Sequence, residues 1–417
     1  MRWVLAVAAL IAVPLRSQQP VGPPLPVILH HADSFVGSQT DSGEVRELTG
    51  NVWLQQGNVV LRCQRAIQNL HTGRIELAGN VRIEQEELQI WAPRILYDPT
   101  TAVATAPEGA QLQQRSQRIR ARSVRYELAR RELLFFGSVV YSDDSLQLWT
   151  DTLRYARTSG AVLVWGGGYV ERLPGWAAEA DTLEYLPQMG RIRLAGAATI
   201  QRHGDTLRQW GLRAEHILLQ RDSIQWLAAR GGVELLGDTV WAARAAELQW
   251  QDAPQERLRL WGDPFVWYGT AELRADTVVA SMRSDTLQEL RAWGSARLRV
   301  LLDSSEWMHQ LQADTVVVLP SDTVRQLCGN GAARSVYVHR DADGRFRGLF
   351  RVGADRIRLG FAADTLRWVR WLSMVYGEYV PRELVGENFS AWVLQGFQWH
   401  SARPQPIAWR YKRRWVP

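Results

Sequence analysis

Apolar and polar residues alternate with a period of two along most of this chain. In the stretch Arg74 to Ile83, the residues Ile75, Leu77, Gly79, Val81 and Ile83 fall on one face, and Arg74, Glu76, Asn80 and Arg82 fall on the other. One dry face and one wet face predict antiparallel strands packed on a core from one side. The pattern also repeats. A glycine separates two apolar stretches at Gly50, Gly79, Gly109, Gly137, Gly166, Gly196, Gly231, Gly262, Gly294 and Gly329, at intervals of 29, 30, 28, 29, 30, 35, 31, 32 and 35 residues. A period near 30 implies one supersecondary unit stacked on copies of itself, so function belongs to a groove or surface that the copies share.

The second half of each unit has its own signature, apolar-x-small-Asp-x-apolar-x-Tyr. It stands at Leu148–Tyr155 and Ala178–Tyr185, and without the tyrosine at Leu273–Val279 and Leu311–Val317. Leu148 and Thr150 are out of phase with Leu153 and Tyr155, so one extra residue falls at Asp151–Thr152. A phase slip of this kind predicts a bulge or corner. An aspartate suits that place because its carboxylate accepts bonds from nearby backbone N–H groups. Gly50, Gly79, Gly137, Asp151, Asp181, Asp276 and Asp314 are therefore expected as structural corners. Each repeat crosses the molecule twice, and two facing sheets enclose an apolar slot. Asp144, Asp205, Asp222, Asp238, Asp285 and Asp322 precede strands and are expected in turns.

Composition narrows the choice. The chain has 417 residues, 46% of them hydrophobic, which suffices for a long continuous core. Its 49 basic residues nearly balance 43 acidic ones, and all but Lys412 are arginines scattered singly along alternating strands. That distribution argues against nucleic acid as a partner. At the N-terminus, Arg2 precedes an apolar run from Trp3 to Leu15 that is too short to span a bilayer, and Ser17 offers a small residue for cleavage. Residues 1–17 are expected to be a cleaved signal peptide, which places the mature chain in the periplasm. Residues 18–44 form a leader. Cys63 and Cys328 lie in distant repeats and are expected as free thiols. The repeat breaks in 366–417. That segment is expected to be a cap or docking tail, whose Arg410, Lys412, Arg413 and Arg414 with Trp409, Tyr411 and Trp415 suit phosphorylated headgroups or a membrane surface.

Leu48-Thr-Gly-Asn-Val-Trp-Leu54 and Leu77-Ala-Gly-Asn-Val-Arg-Ile83, followed by apolar-x-Ala-Asp-x-aliphatic-x-Tyr, resemble the OstA-like family of periplasmic lipopolysaccharide-transport proteins. The match is closest over 45–200 and continues, more divergently, over 201–365. The resemblance implies an all-β fold, an elongated twisted open β-jellyroll or antiparallel β-solenoid of about ten ~30-residue repeats. It implies acyl chains of lipopolysaccharide or a related glycolipid in the dry interior. It also implies end-to-end self-association and other lipopolysaccharide-transport components at the inner and outer membranes as partners. Carried over position by position, the lipid-binding slot is lined by Leu48, Val52, Leu54, Ile75, Leu77, Val81, Ile83, Leu88, Ile90, Ile95, Val124, Leu133, Phe135, Val139, Leu148 and Leu153.

Catalytic signatures are missing: there is no Gly-x-Ser-x-Gly, P-loop, Gly-x-Gly-x-x-Gly, His-Glu-x-x-His or Cys-x-x-Cys. His30-His31 is the only histidine pair and is expected exposed. The repeated aspartates, with Asp355, raise the possibility of a calcium ladder, but two early copies carry Pro93-Arg94 and Arg122-Ser123 there. No metal and no cofactor is expected. The leading expectation is thus a non-enzymatic periplasmic lipid conduit. Two rivals stand beside it, a structural or adhesive cell-surface β-solenoid with a filled core and a polysaccharide-acting enzyme on a β-helix scaffold.

Overall fold

The period-two alternation folds as antiparallel strands throughout. The computed structural model describes residues 27–415 except 42, 99, 128–129, 173–174, 203–209, 222–224, 238–240, 252–254, 284–285, 303–306, 322–324, 342, 363–364, 387–388 and 398–401. The expected signal peptide lies outside the described residues, as do Asp205, Asp222, Asp238, Asp285 and Asp322. Strands begin at Ile28–His31, within the stretch expected as a leader, and end at Tyr376–Pro381. The only helices among the described residues are single turns, such as Arg382–Val385 and Lys412–Trp415.

The chain packs as two compact units: residues 1–194 with 409–417, and residues 195–408. In the first unit each long strand pairs with the next. Ile75–Gln85 and Leu88–Asp98 are typical, with Leu77 opposite Ile95 and Ile83 opposite Ile90. Of these four inward residues all but Ile90 are buried, and apolar burial supplies the main stabilisation, about 25 cal/mol per Å2. The second unit follows the same plan from Trp210–Arg221 to Tyr376–Pro381.

Every corner is a skip in the ladder. Gly79 and Asn80 together face Pro93, Gly137 and Ser138 face Asp151, Gly166 and Gly167 face Asp181, and Gly294 and Ser295 face Asp314. Gly50 and Asn51 likewise face Gln64. Two residues opposing one is a β-bulge, which bends the strand. Here both residues of the bulge have positive φ, +77° and +50° at Gly79-Asn80 and +84° and +51° at Gly294-Ser295. The first position must be glycine for a second reason. A Cβ on Gly294 would lie 2.5 Å from the Cβ of Asp276, whose side chain fills the space beneath it. The expected bond from a backbone N–H to a corner carboxylate is present at Asp151, whose Oδ1 accepts from Ser138 at 3.5 Å.

Two expectations need correction. The tenth corner is Gly331-Ala332, with φ of +80° and +43°, facing Asp355. Gly329 instead pairs regularly with Val316 and Ile357. Its missing side chain makes room for Leu311, whose Cδ1 would sit 2.9 Å from a Cβ there. Strands also continue past residue 365, since Thr365–Leu372 and Tyr376–Pro381 both pair with Phe346–Ala362. The end of the second unit is then closed by 382–397, where Val385, Phe389, Leu394 and Phe397 join Phe265, Trp267, Val338 and Leu349 in one buried cluster.

Gly294→Ala should destabilise the fold by about 2 kcal/mol or more, because a left-handed Cβ costs roughly 1–2 kcal/mol before Asp276 is displaced. Gly232→Ala, also at positive φ but with open space around its Cβ position, should cost about 1 kcal/mol. Urea denaturation of the two variants measures the difference, and equal losses would remove the steric argument.

The fold also contains a pH-sensitive core group. His309 is buried, its Nδ1 accepts from the Val338 N–H at 3.2 Å, and burial, with help from Arg340, holds its pKa down at about 4. The unfolded chain binds that proton at about 6.5. Stability should therefore be complete above pH 6.5 and fall as pH drops toward 4. His309→Gln should flatten that part of the pH–stability curve; an unchanged slope would show that other groups set it.

Candidate functional site

Of the sixteen expected slot residues, fifteen are buried, and Ile90 is half-buried. All sixteen lie in the first unit. Around Leu133, Phe135, Val139, Leu148 and Leu153 the interior is filled by side chains, with Phe135, Leu148 and Leu153 fully enclosed. Two tyrosines help to fill it. The Tyr141 hydroxyl donates to Asp143 at 2.8 Å and accepts from Gln117 at 3.0 Å. The Tyr155 hydroxyl donates to the Gln117 amide oxygen at 2.7 Å. Burial pushes the Tyr155 phenol up to about 12 and raises that of Tyr141 as well. Both stay neutral donors, as buried hydroxyls with partners should.

The second unit contains an open interior cavity. A cavity of about 480 Å3 is enclosed by Leu258, Leu260, Val278, Ala280, Leu298, Val300, Leu327 and Phe361. Its volume falls in the range of small-molecule pockets. Small side chains, Ala243, Ala271 and Ala280, stand where the first unit has leucines and aromatics, and this leaves space. Arg325 is the one charged residue among those lining it, and its guanidinium sits over the Tyr268 ring, 4.6 Å from the centroid. None of the sixteen expected residues lines this cavity. The signal was present in the alternation of Val278 with Ala280 and of Leu298 with Val300, but irregular spacing between glycines obscured it.

The two cysteines are free, Cys63 buried and Cys328 partly buried, and burial pushes the Cys63 thiol up to about 12. His31 is exposed beside Asp33 at 3.0 Å, and His30 stacks on Trp53.

The basic aromatic tail docks on the first unit. Glu179 is fully buried on the outer face of Trp176–Leu186. Its carboxylate accepts the backbone N–H of Arg410 at 2.8 Å and that of Tyr411 at 2.7 Å. The Tyr411 hydroxyl donates to Asp181 at 2.6 Å, Arg410 pairs with Asp181 at 3.3 Å, and Arg414 pairs with Asp151. Trp409 meets Tyr169 edge-on with centroids 5.5 Å apart. The run Gly166-Gly167-Gly168 opens the space, since a Cβ on Gly167 would lie 2.3 Å from the Tyr411 ring. Three of the cations expected to meet headgroups are thus engaged within the protein, Lys412 over the Tyr169 ring at 5.7 Å. Asp151 and Asp181 hold guanidinium groups, which is incompatible with a calcium ladder at those two positions.

Residues 25–165 match the family described as OstA-like protein. The matched segment holds the bulges at Gly50, Gly79 and Gly137 and ends within Ala161–Arg172. One similar solved structure is LptH, the LptA-homologous periplasmic component of the conserved lipopolysaccharide transport device from Pseudomonas aeruginosa. It is 17% identical, over 29% of this chain and 93% of its own, with a TM-score of 0.26. No curated protein matches the chain.

Glu179→Ala should release the tail, because two backbone N–H groups lose a charged acceptor, a loss of about 2–3 kcal/mol. Limited trypsin digestion should then cut at Arg410 and Arg414 in the variant well before it cuts the native chain. Unaltered resistance would mean that the tail is held by its aromatic contacts alone.

Proposed function

We propose that this protein is a non-enzymatic periplasmic lipid conduit, carrying lipopolysaccharide or a related glycolipid toward the outer membrane with its acyl chains out of water. The observation that carries this reading is the apolar cavity of about 480 Å3 in the second unit. Each methylene moved from water into such a space gains about 0.8 kcal/mol, so a long acyl chain is held without any specific bond. The OstA-like match over 25–165 supports the same function for the inward faces of the first unit. There the sixteen expected residues form the wall that acyl chains would meet as side chains part. Transport components at the two membranes, and end-to-end association of copies, belong to the same proposal, since no helix among the described residues is long and apolar enough to cross a membrane and directionality has to come from outside. The filled interior around Phe135 and Leu148 favours the rival structural β-solenoid for the first unit, and the test separates the two.

Photo-crosslinking amino acids at Ile83, Ile90, Val139 and Leu148, and at Val278 and Leu298 in the cavity, should capture glycolipid in cells. Arg82 and Gln147, which are exposed, should not. Ala280→Trp, which fills the cavity, should cut capture at Leu298 by at least tenfold while the thermal transition is retained. Ile90→Asp should block transport, because an unpaired buried carboxylate costs several kcal/mol. Capture in the second unit alone would leave the first as scaffold. Equal capture on both faces would overturn the conduit.

A further inference from the structure

The outer face of the first unit carries an ordered row that the lipid reading does not use. Residues paired directly across successive strands run Trp53, Arg62, Arg82, Trp91, Gln111 and Arg120. Around the middle of this row the surface sinks into an open concavity of about 1160 Å3, whose lining includes Arg82, Trp91, Gln113, Arg118, Arg120 and Arg122. Glu108 is the one carboxylate in the lining, against four arginines.

The arginines here differ from their neighbours in pairing. Several arginines elsewhere in this unit are matched across strands: Arg74 with Asp98 at 3.1 Å, Arg94 with Glu76 at 2.8 Å, Arg154 with Glu132 at 3.8 Å. Arg82 reaches Glu84. Among the described residues, Arg118, Arg120 and Arg122 meet no carboxylate. Arg118 and Arg120 project from the same face of Gln117–Ala121, with Ile119 turned to the core between them. Turned with its oxygen toward Arg120, the Gln111 amide accepts from Nη2 at 2.8 Å and from Nε at 3.0 Å, which holds that guanidinium in place. Trp91 lies half-buried beside them, and the Arg82 guanidinium stacks over its ring at 5.9 Å.

We propose that this concavity binds a phosphorylated saccharide. Guanidinium forks match phosphate oxygens bidentately, the face of an indole packs against the apolar face of a sugar ring, and the amides of Gln111 and Gln113 suit its hydroxyls. Three cations with no carboxylate beside them create a positive field in a recess, where water screens it less than on a flat surface. The assignment stands on this surface alone and does not depend on the acyl cavity. One glycolipid would nevertheless satisfy both.

The probe is deacylated lipopolysaccharide oligosaccharide, which keeps its phosphates and has no acyl chain to enter the cavity. Calorimetric titration of the full chain should show binding that weakens at least tenfold after phosphatase treatment of the probe, and at least tenfold in Arg118→Gln/Arg120→Gln. Trp91→Leu should weaken the saccharide but leave the response to inorganic phosphate unchanged, and it serves as the test if the double variant fails to fold. Ala280→Trp should leave this binding intact, so loss of the lipid reading and loss of this one are separable. Equal affinity for inorganic phosphate and saccharide, equal affinity for polyglutamate, or undiminished binding in the folded double variant would overturn the proposal.

Discussion

The structure depends on one steric constraint, a strand that must turn a corner with another side chain lying directly beneath the turn. Each bulge places two residues with positive φ opposite a single residue of the next strand. At Gly294 and Gly331 the first of the pair has no room for a Cβ, because Asp276 lies under one and Asp314 under the other. Backbone conformation and packing demand glycine at the same position. That coincidence explains why glycines mark the period more reliably than any apolar residue does. Repeating the corner keeps the inward phase of every strand aligned, so the dry faces add up to a common interior in each unit.

From that interior two different outcomes follow from side-chain size. In the first unit Phe135, Tyr141, Leu148 and Tyr155 are fully enclosed. In the second, leucines, valines and alanines line a cavity with one charged residue in its lining. The corners themselves are reused. Asp151 and Asp181, placed by the bulges, hold Arg414 and Arg410 of the returning tail. The buried Glu179 fixes the tail backbone between them. A carboxylate this deeply enclosed persists only because its acceptors are filled by N–H donors.

Much of this was legible in the sequence. The alternation gave strands, the near-30 period gave the repeating corner, and the phase slip at Asp151 located a bulge. Ile90 is the one expected inward residue that is not fully buried. Other features were hidden because their cause is not local. Gly329 and Gly331 are two residues apart, and only the register with Asp355 shows which of them turns the chain. The strand after residue 365 contains Arg367-Trp-Val-Arg-Trp371, which breaks the period of two, so the segment resembles a tail. The cavity depends on what is missing across the interior, and the tail's receptor, Glu179, is more than two hundred residues from its ligand. Pairings of that kind appear only once the topology is known.

The central claim is that the apolar interior exists to hold acyl chains. Its most direct test is lipid extraction and mass spectrometry on the chain purified without detergent. The account predicts a co-purifying glycolipid in near-stoichiometric amount, lost when Ala280→Trp fills the cavity of the second unit. A native chain that carries no lipid, or one whose bound lipid is unchanged by filling that cavity, would contradict it.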